Sequence, residues 1–300
     1  MFKFTAKLLV QADNLLTTSN PKTRKPYSPS LVNTDNHKTQ KGEAKGWLTG
    51  IMHLAPSDLS TSSGGGNVCP NASKECRQFC LNTSGMGAMP THQRRRIERT
   101  KLYFTDRPRF LEELRADIRK LIRQADKKNL RPAVRINGTS DLPHLARQMA
   151  QEFPDVQFYD YTKVPEPWTR TLPNYHITFS RSENNEHHAL KALEHGVNVA
   201  VVFGIKKGDP LPETWHGYSV MDGDNHDLRF LDDSERPDPN KPLVIGLRAK
   251  GRGRGKGTDT GFVVNPKPEQ LVQIQQQKAS SLRPAKAVPK VAYFCEGVFS

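Results

Sequence analysis

Three cysteines carry the clearest chemistry in this chain. Cys69, Cys76 and Cys80 lie within twelve residues in the pattern C-x6-C-x3-C, just after the run Ser62-Ser63-Gly64-Gly65-Gly66. Soft thiolates this close together suit zinc or an iron–sulfur cluster. A disulfide framework fits poorly, because such frameworks pair even numbers of cysteines in small secreted chains. The set holds three thiolates, whereas a closed structural zinc site takes four protein ligands. The candidates for a fourth are His92, next along the chain, and the distant Cys295. A four-iron–four-sulfur cluster on three cysteines would instead keep one iron open to a small molecule. Iron–sulfur, zinc and three unligated thiols all remain open on these residues alone.

A loop of this kind has to be held by a scaffold, and the chain supplies a regular one. Gly46-Trp47-Leu48-Thr49-Gly50-Ile51-Met52-His53-Leu54-Ala55 predicts a buried strand ended by Pro56, feeding directly into the cysteine loop. A helix begins around Arg94–Arg99 and is reset at Asp106, an N-cap with Pro108 in the first turn. Beyond it, Leu111, Leu114, Ile118, Leu121, Ile122 and Ala125 recur at helical spacing. Further strands are predicted at 132–138, 156–161, 175–180, 197–203, 218–221 and 243–247, with helices through Leu145 and Met149 and from Asn184 to His195. Seven strands, several joined by helices, predict a mostly parallel α/β sheet, a full or partial β/α barrel, with an open doubly wound sheet as the alternative.

The chain divides into a basic, irregular N-terminal arm (1–45, with one short strand at Lys7–Val10), a β/α domain (46–264) and a basic C-terminal segment (265–300). That segment holds a helix or linker at Glu269–Lys278 and a last strand or tether at Val291–Cys295. A hydrophobic fraction of 35% is low for 300 residues and fits such flanking segments. The charged amino terminus lacks the features of a signal peptide, and no apolar run is long enough to span a membrane. A soluble cytoplasmic protein in a reducing compartment is the expectation. The net charge of +14 favours a polyanionic partner, DNA or RNA. Arg94, Arg95 and Arg96 after the cysteine loop, and Arg252, Arg254 and Lys256 in a glycine-rich run, are the candidate nucleic-acid contacts.

In β/α architectures functional groups gather where strands end. Here those junctions are polar: Asn137, Ser140 and Asp141; Asp160 and Lys163; Ser180 and Glu183; Asp222 and Asp224. Asp141, Asp160, Lys163, Asp222 and Asp224 are the candidate catalytic groups, and Asn137, Ser140, Ser180 and Glu183 the candidate cofactor-binding groups. Asp141 also reads as the N-cap of a helix starting near Pro143. A metal-dependent nuclease would use Asp222, Asp224 and Asp227. In a zinc-stapled nucleic-acid-binding protein, His92 would complete the three thiolates.

Several of these stretches together resemble the phage-encoded gene product 88 family. They are the cysteine loop with Arg99-Thr100, the stretch from Arg135 to Asp141, the stretch from Phe158 to Lys163, Phe179-Ser180-Arg181-Ser182-Glu183 and Asp222-Gly223-Asp224. The resemblance covers roughly residues 46–264 and implies one domain of mobile-element origin. The cysteine loop after the first strand also resembles that of radical S-adenosylmethionine barrels, although their spacing is C-x3-C-x2-C. The expectation is therefore an iron–sulfur protein, S-adenosylmethionine on the open iron, acting on nucleic acid or a protein bound to it.

Overall fold

The computed structural model describes residues 30–34, 37–62, 66–83, 85–253 and 260–266, with scattered positions from 269 to 277. The expected strand at Lys7–Val10, the Val291–Cys295 segment, and Arg254 and Lys256 lie outside them, as does the Arg252 side chain.

The strands are β1 (Val32–Asn33), β2 (Trp47–Met52), β3 (Arg131–Arg135), β4 (Gln157–Thr162), β5 (Tyr175–Ser180), β6 (Val199–Phe203), β7 (Thr214–Trp215), β8 (Tyr218–Asp222) and β9 (Val244–Arg248). They form one sheet in the order β1-β2-β3-β4-β5-β6-β9-β8-β7. From β2 to β8 every neighbour is parallel, and only the two-residue edge strands β1 and β7 run antiparallel. The sheet is open, with β1 and β7 as its edges among the described residues, so the expected barrel is not closed there.

The helices are α1 (His37–Glu43), α2 (Ser57–Ser62), α3 (Lys74–Gln78), α4 (Pro90–Thr105), α5 (Arg107–Lys127), α6 (Pro143–Glu152) and α7 (Glu186–Glu194). In α5 the residues at core spacing, Phe110, Leu114, Ile118, Leu121 and Ala125, are buried. Asp106 caps this helix by accepting from the Arg109 amide at 3.1 Å. Its apolar stripe and that of α6 pack on Leu48, Met52, Val134, Phe158 and Ile177. Helix α7 covers Phe179, Val199, Val201 and Val244 further along. Side chains alternate along a strand, so Tyr175, Ile177 and Phe179 of β5 share one face, and all three helices cover that face.

Among the described residues the opposite face carries no long helix, and α1 approaches it at Gly42, where a Cβ would lie 3.4 Å from Thr49 Oγ1 and 3.5 Å from the Leu228 side chain. Trp47, Ala133 and Tyr159 are covered by Leu228, Phe230 and Leu231, on and beside the short 3₁₀ segment Arg229–Glu235. Trp47 and Phe230 meet edge to face at 4.6 Å between ring centroids. Five strands laid down in sequence with helices on one face correspond to a sheet wound in one direction, which a doubly wound sheet is not. The chain then passes β6, reaches β8 at the far side and returns to place β9 between them.

This arrangement also buries charge. Arg229 and Asp232 are fully buried, with Arg229 Nη1 and Asp232 Oδ2 3.4 Å apart. Burial pushes the Asp232 carboxyl up to about 7 despite the nearby guanidinium. No helix among the described residues is long and apolar enough to cross a membrane.

Candidate metal centre

Because β2 to β6, β8 and β9 are parallel, the loops that follow them leave from one end of the sheet. The cysteine loop follows β2 through α2 and is fastened to its neighbours at two points. The first lies after β3, where the Cys69 thiol donates to the Thr139 carbonyl at 3.5 Å and the Asp141 amide donates to the Val68 carbonyl at 2.7 Å. Gly138 allows this crossing, since a Cβ there would stand 2.6 Å from the Met52 carbonyl oxygen.

The second point is Glu183, after β5. Its carboxylate accepts from the Ser73 hydroxyl at 2.8 Å and from the Glu75 amide at 3.1 Å. Ser73 in turn caps α3 by accepting from the Cys76 amide at 3.2 Å. Glu183, expected as a cofactor-binding group, here holds the backbone that carries Cys76.

All three thiols are half-buried and none forms a disulfide. Burial pushes the Cys69 thiol up to about 12, and the like charges of Cys80 and Cys76 add to the rise. Burial also raises Cys80, with Cys76 adding to it while Arg96 and Lys163 oppose it. Each thiol therefore lies within electrostatic reach of the other two. Among the described residues no three Cys, His, Asp or Glu side chains converge closely enough for a single ion. His92 and the thiols thus do not form the compact set that a tetrahedral zinc with Zn–S bonds of ~2.3 Å demands. A cubane cluster binds its thiolates on different irons, which separates the sulfurs further. The three thiols are the donors that either group would use.

The strand-end residues fall into three sets. Asn137, Ser140 and Asp160 are buried, and they bond to one another. Asp160 accepts from the Asn137 amide at 2.7 Å and from its side chain at 3.0 Å, while Asn137 Oδ1 accepts from the Ser140 hydroxyl at 2.9 Å. Their joint effect is to shape the loop that presents Thr139 to Cys69. Burial pushes the Asp160 carboxyl up to about 7, against the hydrogen bonds from Asn137 and the nearby Arg135.

Asp141 and Lys163 join the next two strands. Asp141 is not the N-cap of α6: Leu142 occupies that position, without a side-chain cap. Its carboxylate instead accepts from Thr162 Oγ1 and the Lys163 amide, both at 2.7 Å. Burial raises its pKa despite those bonds. The Lys163 ammonium donates to Ser180 Oγ at 2.8 Å, and its charge reaches Cys80.

The acids after β8 form the third set, and they are neutralised. Arg248 donates to both oxygens of Asp222 at 2.9 and 2.8 Å, and Lys250 donates to Asp224 at 2.6 Å. Burial alone would raise the Asp224 carboxyl, but Lys250 and Arg248 hold it below the usual range. Asp227 instead pairs with Arg135 at 3.0 Å. The three acids of the nuclease reading are thus divided among three cationic partners, Arg248, Lys250 and Arg135.

The arginine run needs one correction. Arg96 is buried and bonds to Asn82 Oδ1 and the Gly87 carbonyl, so it does not face a polyanion. Arg94 and Arg95 are exposed, with Arg94 paired to Glu98 at 3.1 Å. Arg99 and Thr100 support the site from behind: Arg99 donates to the His53 carbonyl at 3.3 Å, and Thr100 Oγ1 accepts from the Ala55 amide at 2.8 Å. Their signal in the sequence is spacing, since Arg96, Arg99 and Thr100 share one helical face. A cavity of about 330 Å³ lies at the other end of the sheet, beside His176, Asn198 and Asp233.

Comparison with known proteins gives a family and no reaction. The family described as gene product 88 matches residues 23–266. No curated protein and no solved structure matches the chain. With more than half of its length matched, the chain belongs to the gene product 88 family.

Proposed function

We propose that this member of a phage gene-product family is an iron–sulfur protein whose Cys69, Cys76 and Cys80 hold a four-iron–four-sulfur cluster. One observation carries the reading. Three half-buried thiols lie within electrostatic reach of one another, on a loop fastened to the ends of β3 and β5. Such a cluster supplies one-electron transfer, and with three protein thiolates it keeps an iron open to a small ligand, of which S-adenosylmethionine is the class considered. The protein's own part is to give up the thiol protons, which burial retains, and to place positive charge beside Cys80 through Arg96 and Lys163. Lys163 and Ser180 offer a cation and a hydroxyl on adjacent strand ends for the anionic part of that ligand. The net charge of +14 keeps nucleic acid, or a protein bound to it, as the substrate class.

Anaerobic reconstitution of single-cysteine variants tests this reading. Cys69→Ala, Cys76→Ala and Cys80→Ala should each lose the iron and sulfide together, while Asp222→Asn should retain both. Full iron content in Cys76→Ala would overturn the assignment.

A further inference from the structure

The cavity at the end of the sheet away from the cysteine loop measures about 330 Å³, at the low end of the ~300–1,000 Å³ of small-molecule sites. It lies where β4, β5 and β6 begin: Gln157 starts β4, His176 is the second residue of β5, and Asn198 directly precedes β6. The 3₁₀ segment Arg229–Glu235 and the residue after it form the other side, with Phe230, Asp233 and Arg236. Leu172, Val197 and Phe230 give the walls an apolar part.

The polar groups bond to one another but do not use all their capacity. Asp233 Oδ1 accepts from Asn198 Nδ2 at 2.8 Å and from Arg236 Nη2 at 2.6 Å. Asn198 Oδ1 accepts from the same Arg236 nitrogen at 3.1 Å. Both bonds of Arg236 thus use Nη2, and its Nε is buried without a hydrogen-bond partner among the described residues. Asp233 Oδ2 stands 3.8 Å from His176 Nδ1, too far for a hydrogen bond, and His176 Nε2 is also buried without a partner among the described residues. Nearly all buried polar atoms in folded proteins are paired, so two orphaned nitrogens on the wall of one cavity point to a polar ligand.

The charges narrow its class. Asp233 and Arg236 neutralise each other, and burial pushes the His176 ring below its usual pKa, against the pull of Asp233, so that it is uncharged near neutral pH. An anion entering here would face Asp233 and a cation would face Arg236, whereas a neutral ligand carrying both a donor and an acceptor suits the pair. We propose that this cavity binds a lactam nucleobase, one with an N–H beside a carbonyl, as in guanine or uracil. The base donates to Asp233 Oδ2, accepts from Arg236 and packs its flat face against Phe230 and Val197. Adenine and cytosine have no ring N–H beside a carbonyl and cannot pair in this way. The cavity lies at the opposite end of the strands from the cysteine loop, so this inference is independent of any cluster there.

Titration calorimetry of the full chain with guanosine, uridine, adenosine and cytidine tests it. Guanosine and uridine should bind at least ~10-fold tighter than adenosine and cytidine, as one hydrogen bond to a charged group requires. Asp233→Asn keeps a carbonyl oxygen to accept from Asn198 and Arg236 but turns Oδ2 into a donor, and should weaken guanosine at least ~10-fold. Thr171→Trp fills the cavity from its exposed rim and should weaken guanosine as much, with thermal unfolding unchanged. Equal affinity for all four nucleosides would overturn the lactam assignment. Guanosine binding unchanged in both variants would overturn the location. No binding of guanosine or uridine at millimolar concentration would overturn the site itself. Binding of leucine in their place would also overturn the proposal and assign the Asp233–Arg236 pair to a zwitterion.

Discussion

Glu183→Ala removes one of the two fastenings of the cysteine loop. The lost contacts are a carboxylate accepting from the Ser73 hydroxyl at 2.8 Å and from the Glu75 amide at 3.1 Å. A hydrogen bond to a charged group is worth ~1.5–3 kcal/mol. Glu183 is half-buried, and Ser73 keeps its own bond from the Cys76 amide, so the loss is nearer one such bond than two. A local cost of ~2–3 kcal/mol raises the opening equilibrium of this segment about 30- to 150-fold. Amide hydrogen exchange reads it directly: Glu75, Cys76, Arg77 and Phe79 should exchange faster by about that factor, while Val199–Phe203 in β6 should be unaffected. Glu183→Gln should fall between, since its amide keeps one acceptor oxygen and replaces the other with a donor. Unchanged exchange at Glu75 and Cys76 would refute the fastening. Equal acceleration in β6 would show that Glu183 stabilises the whole fold instead.

Three other substitutions probe the surrounding structure. Asp160, with a carboxyl at about 7 in the folded protein, contributes stability that is present below its unfolded value near 4 and lost as pH rises through 7. Asp160→Asn should remove up to ~4 kcal/mol of that decline between pH 4 and 8 in urea titrations, and an unaltered slope would exclude Asp160 as its source. Asp232→Ala should cost ~3–5 kcal/mol in the same assay by leaving Arg229 buried without its partner, and a loss below ~1 kcal/mol would show that the pair contributes little. Gly138→Ala should force apart the β2 and β3 ends, lowering stability by ~1–3 kcal/mol and speeding alkylation of Cys69; unchanged thermal unfolding would contradict the close approach.

The strands were legible because each is a short run of apolar, aromatic or β-branched residues, mixed with polar ones in β3, β4 and β8, between turn-forming segments. All seven predicted segments correspond to β2 to β6, β8 and β9. The edge strands β1 and β7, of two residues each, carry no periodic signal. Strand order was not legible either: β9 between β6 and β8 is a long-range choice that local pattern does not encode. Periodicity identifies which residues are buried but not which face of the sheet a helix covers, so a doubly wound sheet stayed open until α5, α6 and α7 were placed. At the strand ends, residue types marked the junctions but not the roles within them. Asp141 two residues before a helix-starting proline looks like a cap, yet Thr162 and the Lys163 amide satisfy it across the sheet. The Arg94-Arg95-Arg96 run looks like a uniform basic surface, whereas helical phase turns Arg96 inward with Arg99 and Thr100.

The central claim is that three thiolates hold a cluster, and the most direct measurement is iron, zinc and sulfide analysis with an absorption spectrum on protein purified without oxygen. The account predicts about four irons and four sulfides per chain, with a broad visible band bleached by dithionite. One zinc per chain without colour, or no metal after anaerobic reconstitution, would contradict it.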